Sequence, residues 1–317
     1  MEPPPLRQIA RVITTASMNK TDSHANSKHR VLHGILFMCL AICIMPVMNA
    51  TAKYLVADYP MPQVVWARFT GHFLFTVAIF LPSLGWRLFV PNRPAMQLGR
   101  SAVMFTSNGL FIVALASISL PTSSAIMFTA PLMLTALSVP FLGERVGPRR
   151  WTAVILGFTG AILIIRPGLG GMQWGAILTF GSAALFAIYQ IMTRKIGDDD
   201  PAETSIVYMA LLGATVMTLA LPVFFEMPRE PLHFILFGAV GCLGGVTQYF
   251  VIKALQCAPA SIVAPYLYGE LIGATLLGFA IFGDFPDLWT WTGAAIIVAS
   301  GLYVAYREAI MRQLPNE

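Results

Sequence analysis

The 317-residue chain is 56% hydrophobic and only 11% charged, with a mean hydropathy of +0.71. Globular domains carry about 25% charged residues, and a soluble protein of this length has too little interior to hide so much apolar side chain. The net charge of +5 would suit nucleic acid in a soluble protein. Here membrane orientation accounts for it, and no nucleic-acid partner is expected. Backbone groups in lipid must pair internally, which leaves helices or closed barrels. Barrel strands would alternate apolar and polar residues, and these runs do not. The composition therefore predicts an all-α polytopic membrane protein with the lipid bilayer as its solvent.

Residues 1–30 are polar, with Pro3 to Pro5 followed by scattered Arg7, Arg11, Lys20, Lys28 and Arg30. They are expected to form a disordered cytosolic tail, because the basic region leads into a full-length apolar run rather than the short one of a cleavable signal. Ten apolar spans follow, at 31–52, 63–84, 98–117, 121–142, 150–166, 174–194, 203–225, 232–254, 260–282 and 288–306. A helix needs about 20 apolar residues to cross the hydrocarbon core. The connecting segments are short and rich in Pro, Gly, Asp and Asn. Spans 3 and 4, and spans 8 and 9, are close enough in sequence to require tight antiparallel hairpins. Cys39, Cys43, Cys242 and Cys257 lie in or beside apolar runs without disulfide or zinc spacing, so they read as packing residues. No cofactor and no metal are expected.

Two stretches repeat one pattern. Ala114-Leu115, Leu120-Pro121-Thr122-Ser123, an apolar run, Gly143-Glu144 and Trp151-Thr152 are echoed by Ala254-Leu255, Ala258-Pro259-Ala260-Ser261, an apolar run, Gly283-Asp284 and Trp289-Thr290. The first turn, from Gly143 to Arg150, is basic, whereas its echo, from Gly283 to Asp287, is acidic. Five spans per half is an odd number, so the second copy inserts upside down. The halves fall at 31–167 and 174–307. Inverted repeats of this kind are the plan of many secondary transporters. Cytoplasmic loops are enriched in Lys and Arg. With the N-terminus inside, only Lys53, Arg166 and Arg229 of the 20 Lys and Arg fall outside, apart from Arg68 and Lys253 within spans. Both termini are expected in the cytoplasm.

These features resemble the drug/metabolite transporter superfamily, specifically its EamA-type ten-helix members built as two inverted five-helix repeats. The likeness is carried by Ala114-Leu115, Pro121, Ser123, Gly143-Glu144, Gly157 and Gly160, and by Ala254-Leu255, Ala260 to Pro265, Gly283-Asp284 and Gly293. Asp284 stands where the family pattern has Glu. The tract Val64-Val65-Trp66-Ala67-Arg68 is similar to that of bacterial members linked to riboflavin uptake, while other members move S-adenosylmethionine or export amino acids. The resemblance implies a small-molecule substrate, an inner-membrane location and no enzymatic activity.

A charge at the bilayer centre costs at least about 2.5–3.5 kcal/mol, so intramembrane charges point to function. Arg68 in span 2, Lys253 in span 8 and Glu270 in span 9 stand out. Arg68 and Lys253 also lie near enough to span ends to snorkel, and Glu270 could instead pair structurally with either. Asn108 and Gln248 occupy equivalent places in spans 3 and 8. Tyr189, Tyr208, Tyr249, Tyr266 and Tyr268 bring hydroxyls to membrane depth, where they would suit a flat, partly apolar substrate. Pro131 and Pro265 fall in corresponding helices 4 and 9, and paired interruptions mark the binding region of inverted-repeat transporters. The expected substrate set is Tyr266, Glu270, Pro265, Tyr189, Asn108, Gln248, Arg68 and Lys253. Glu144 and Asp284, at helix ends, read as loop ties. The rival classes are an intramembrane enzyme, for which the chain lacks His-Glu-x-x-His and Gly-x-Ser-x-Gly, and a structural membrane subunit. A homodimer is compatible with all of these.

Overall fold

Long apolar runs bounded by Pro and Gly fold as helices, and the breakers set their ends. The computed structural model describes the backbone of residues 6–144, 146–167, 174–196 and 200–313, and the side chains of these apart from 6–29, 260, 261, 264 and 308–313. Its helices are α1 (Leu6–Asp58), α2 (Met61–Leu84), α3 (Pro94–Leu115), α4 (Leu120–Met127), α5 (Ala130–Leu142), α6 (Pro148–Ile165), α7 (Trp174–Ile196), α8 (Ala202–Phe224), α9 (Pro231–Cys257), α10 (Ala260–Val263), α11 (Glu270–Phe282) and α12 (Leu288–Gln313). Among the described residues, ten helical spans are long and apolar enough to cross a membrane. They coincide with the ten sequence spans to within a few residues, save at the start of the chain. There the backbone is helical from Leu6 onward, with no proline or glycine between Pro5 and Gly34. Pro3 to Pro5 and Arg145 lie outside the described residues.

Helices α3, α6 and α9 start with a proline, whose missing N–H costs nothing in a first turn. Helices α5 and α11 end alike. Gly143 (φ 68°) and Gly283 (φ 69°) take the left-handed cap conformation, which a side chain would strain. The next amides complete the motif, Glu144 N–H donating to Ser138 C=O at 3.3 Å and Asp284 N–H to Gly278 C=O at 3.0 Å.

Spans 4 and 9 are both interrupted partway. Span 4 breaks at Phe128-Thr129 between α4 and α5, just ahead of Pro131, and span 9 passes through a 3-10 turn at Ala264–Gly269 whose second residue is Pro265. Thr129 Oγ1 donates to the Ile126 carbonyl at 2.7 Å, satisfying one acceptor at the first break. Phe128 and Tyr268 bring the two breaks together, with ring centroids 4.9 Å apart.

The helix pairing maps onto itself when the halves are exchanged. Helix α1 packs on α9 as α7 packs on α3, and α11 packs on α1 as α5 packs on α7. Helix α2 pairs with its counterpart α8, and α6 with α12. Glycines let backbones meet at Gly71 with Gly241 and at Gly160 with Gly293, where a Cβ on any of the four would strike the facing main chain. The equivalent hairpins carry different chemistry. Ahead of α2, Tyr59 Oη accepts from Arg229 N–H at 2.9 Å and bonds His233 Nδ1 at 2.7 Å. Ahead of α8, Asp200 accepts from Asn92 N–H at 2.5 Å and from Gln97 Nε2 at 2.8 Å.

The odd number of spans per half puts Pro148 and Leu288 at opposite faces. Both are exposed, whereas Pro286 is buried. Single cysteines at Pro148 and Leu288, in a background without the native four, are expected to react with an impermeant maleimide from opposite sides of sealed vesicles. Labelling of both from one side would contradict the inverted arrangement.

Candidate functional site

Glu270 is the first residue of α11, directly after the break in span 9, and is only 9% exposed. A helix N-terminus favours a carboxylate electrostatically. Its partner comes from α1. Asn49, 4% exposed, donates from Nδ2 to Glu270 Oε1 at 3.1 Å, and its Oδ1 accepts from Arg68 Nη1 of α2 at 3.4 Å. One amide thus spans an acid and a base. Its orientation follows from chemistry: turned over, it would set donor against guanidinium and acceptor against carboxylate. The row acid–amide–base ties α11, α1 and α2.

Polar groups with spare capacity surround this row. Ser124 of α4 sits against the Glu270 carboxylate without a well-formed hydrogen bond, and the neighbouring Ser123 hydroxyl is buried without a partner. His72, one helical turn beyond Arg68, is buried, and its Nε2 also has no partner. Close packing of α11 on α1 sets the distances. A Cβ on Gly273 would meet the Pro46 ring at 2.6 Å, and one on Gly269 would meet Ile42 at 2.9 Å. Gly269 and Gly273 thus lie on the face turned to α1.

Of the eight residues expected to converge, the structure joins Arg68 and Glu270, through an Asn49 that sequence reasoning did not single out. The other six go elsewhere or stand apart. Lys253 donates to Gln256 Oε1 at 3.3 Å and lies over the Tyr249 ring at 5.6 Å, an exposed local arrangement near the end of α9 that fits snorkelling. Asn108 bonds back to the Met104 carbonyl of its own helix at 3.3 Å. Gln248 is half-buried on α9, and Pro265 is half-buried in the 3-10 turn. Tyr266, in the same turn, is 39% exposed. Tyr189 stacks on Phe186 and donates to Met209 Sδ at 3.3 Å.

Tyr189 also lies beneath Arg100, with the guanidinium 5.1 Å from the ring centre. Arg100 is 2% exposed inside α3, bonded to Thr193 Oγ1 at 3.2 Å and to the Ser205 carbonyl. The reason is local: α3 begins at Pro94, a full turn before Arg100, and Gln97 and Ser205 provide a polar pocket there.

At the face holding Asp284, a polar cavity of about 230 Å³ opens between Ser119, Thr122, Arg166 and Asp287. Arg166 bonds Asp287 and lies over the Trp289 ring at 5.9 Å. Burial opposes charge on Asp287, but the Arg166 guanidinium and the Thr290 amide outweigh it and hold the carboxyl below its ordinary range. Such a depressed group contributes stability above the ordinary carboxylate pKa and loses it as pH falls below that value. This tie therefore stays charged at neutral pH and keeps Asp287 as the cap of α12, accepting from Thr290 N–H at 2.9 Å.

The chain is 30% identical over 300 residues to the riboflavin transporter of Rhizobium johnstonii, a match covering 94% of this chain and 99% of that one. It is 26% identical to the S-adenosylmethionine uptake transporter of Rickettsia prowazekii, covering 87% and 94%. A solved crystal structure superposes with a TM-score of 0.60 over 90% of this chain and 99% of its own; at 17% identity the likeness is one of fold. The EamA-like transporter family model matches residues 32–166 and again 173–306, one copy per half, and the chain belongs to that family.

Proposed function

We propose that this protein is a secondary transporter that moves a small organic metabolite across a bacterial inner membrane by alternating access. The basic segments, including Arg149 and Arg150 at the start of α6, would face the cytoplasm with both termini. The observation that carries the proposal is the buried row Glu270–Asn49–Arg68 at the break of span 9. Charges at this depth are costly, and a purely structural helix contact is served better by apolar packing. The free hydroxyl of Ser123 and the free Nε2 of His72 add capacity to bind a polar solute.

Two substrate classes follow from different observations. The relative matched over nearly its whole length favours a flat vitamin such as riboflavin. The acid–amide–base row, together with the S-adenosylmethionine relatives, favours a zwitterion, its cationic group on Glu270 and its carboxylate on Arg68. Tyr266, Pro265, Tyr189, Asn108, Gln248 and Lys253 remain proposed contributors, by movement toward this centre during the cycle.

Purified protein in liposomes is expected to carry radiolabelled riboflavin or S-adenosylmethionine without added soluble components. Glu270→Gln keeps size and hydrogen bonding but removes the charge. It is expected to lower flux of a zwitterion by at least about tenfold, a change of about 1.4 kcal/mol, while affecting a neutral flavin less. No flux of any solute by the wild-type protein would overturn the proposal.

Asn49→Leu leaves Glu270 and Arg68 buried without their bridge. An orphaned buried group costs about 1–3 kcal/mol, so the melting temperature in detergent is expected to fall by several degrees. Asn49→Gln, which keeps the amide, is expected to recover part of the loss. Unchanged stability in Asn49→Leu would show that the bridge contributes nothing to the fold.

A further inference from the structure

Two ion pairs occupy the same place in the two halves. Lys53, near the end of α1, pairs with Asp284 after α11 at 2.5 Å. Arg194, near the end of α7, pairs with Glu144 after α5 at 3.3 Å. The acids are equivalent because each follows a left-handed glycine cap, Gly143 or Gly283, and closes the same backbone motif. The cations are equivalent because Lys53 precedes Tyr59-Pro60 by the same interval as Arg194 precedes Asp200-Pro201. Each pair therefore ties the first helix of one half to the broken helix of the other half: α1 to α11, and α7 to α5. An odd number of crossings separates them, so they sit at opposite faces.

The two ties differ in how firmly they are made. The side chains of Lys53 and Asp284 are 15% and 32% exposed, and Lys53 also donates to the Ile118 carbonyl at 3.1 Å and lies over the Phe282 ring at 4.9 Å. It thereby gathers α1, the turn between α3 and α4, and the end of α11. The side chains of Arg194 and Glu144 are 40% and 44% exposed and share one longer contact. Exposed pairs of this kind hold weakly, while partly buried ones with added hydrogen bonds hold better.

We infer that Lys53–Asp284 and Arg194–Glu144 are the alternating gate latches of the transport cycle, both made in this conformation but the second held more weakly, so that the face bearing Arg194 is the one prepared to open. The inference rests on the alternating-access reading above. Exchanging the roles of the halves would fasten Arg194–Glu144 and free Lys53, which opens the other face by the same motion. Neither pair touches the Glu270–Asn49–Arg68 row, so substrate binding and gate closure use separate residues.

Spin labels test this directly. Tyr54 and Ile281 are exposed at the Lys53 face, and the equivalent Lys195 and Phe141 are exposed at the other. Paired labels at each couple, in full-length protein lacking the native cysteines and placed in nanodiscs, report both gates by electron–electron distance measurements. Asp284→Asn is expected to lengthen Tyr54–Ile281 and shorten Lys195–Phe141, with the populations shifting by at least about twofold. Glu144→Gln is expected to bias them the opposite way. The exchange Lys53→Asp with Asp284→Lys is expected to return the distribution part of the way to wild type, because it restores the ion pair but not the Ile118 and Phe282 contacts of Lys53. Should Asp284→Asn fail to fold, the exchange and the exposed Glu144→Gln variant decide the question. Distances that do not change, or that change in the same direction at both faces, would overturn the latches. Because the distances need no substrate, absence of flux in wild-type liposomes would count against the transporter reading alone, and normal flux with unmoved gates against the latches alone.

Discussion

The Asn49 amide is the constraint on which the centre of the molecule depends. A carboxylate and a guanidinium at membrane depth are each costly, and direct contact is not their arrangement here. Instead the amide gives a donor to Glu270 and an acceptor to Arg68. For one side chain to reach both, α1 must run between α2 and α11, and α11 must approach α1 closely. Gly273 against Pro46 permits that approach. The broken geometry of span 9 then has a purpose beyond bending. It places the start of α11, where the helix dipole favours a negative charge, at the carboxylate rather than next to lipid.

The backbone repeats faithfully while the chemistry does not. Hairpin ties, glycine caps and helix partners all have counterparts, yet Tyr59 with His233 on one side answers to Asp200 with Gln97 on the other. Ala130, the first residue of α5, stands where Glu270 begins α11. Similarly, Arg100 over Tyr189 anchors α3 to α7 and α8 in a dense network, while the corresponding pairing of α9 with α1 is mostly apolar, as in the stacked Phe37 and Phe250. Symmetric scaffolding lets two conformations have comparable energies. Asymmetric polar groups leave a single off-axis charge cluster, the proposed binding centre.

The spans and the doubled architecture could be read from the chain because both follow from physics acting over twenty or more residues. Hydropathy sums over a whole span, and an odd span count per half forces inversion whatever the side chains do. The breaks were foreshadowed by Pro131 and Pro265, but their location at Phe128-Thr129 and Ala264–Gly269 depends on the contact of Phe128 with Tyr268, which joins distant segments. Glu270 and Arg68 were legible as charges in apolar runs. Asn49 was not, since a neutral amide disturbs hydropathy little and its role exists only between two other helices. Lys253 and Tyr189 looked similar to them in sequence and differ in which neighbours their helices present.

Two equivalent ion pairs on either side of a single unsymmetric centre make a coherent energetic scheme. A ligand shifts an equilibrium only by its differential affinity for the two states. If the gates held the substrate themselves, fastening one would change binding and the two steps would be inseparable. With Lys53–Asp284 and Arg194–Glu144 apart from Glu270, Asn49 and Arg68, the proposed gates would set the resting preference. The centre then adds its preference through α1 and α11, the two helices that carry one gate and also two members of the row. Those shared helices are the mechanical link, since any substrate that draws Glu270 away from Asn49 also pulls on the segment that ends at Asp284.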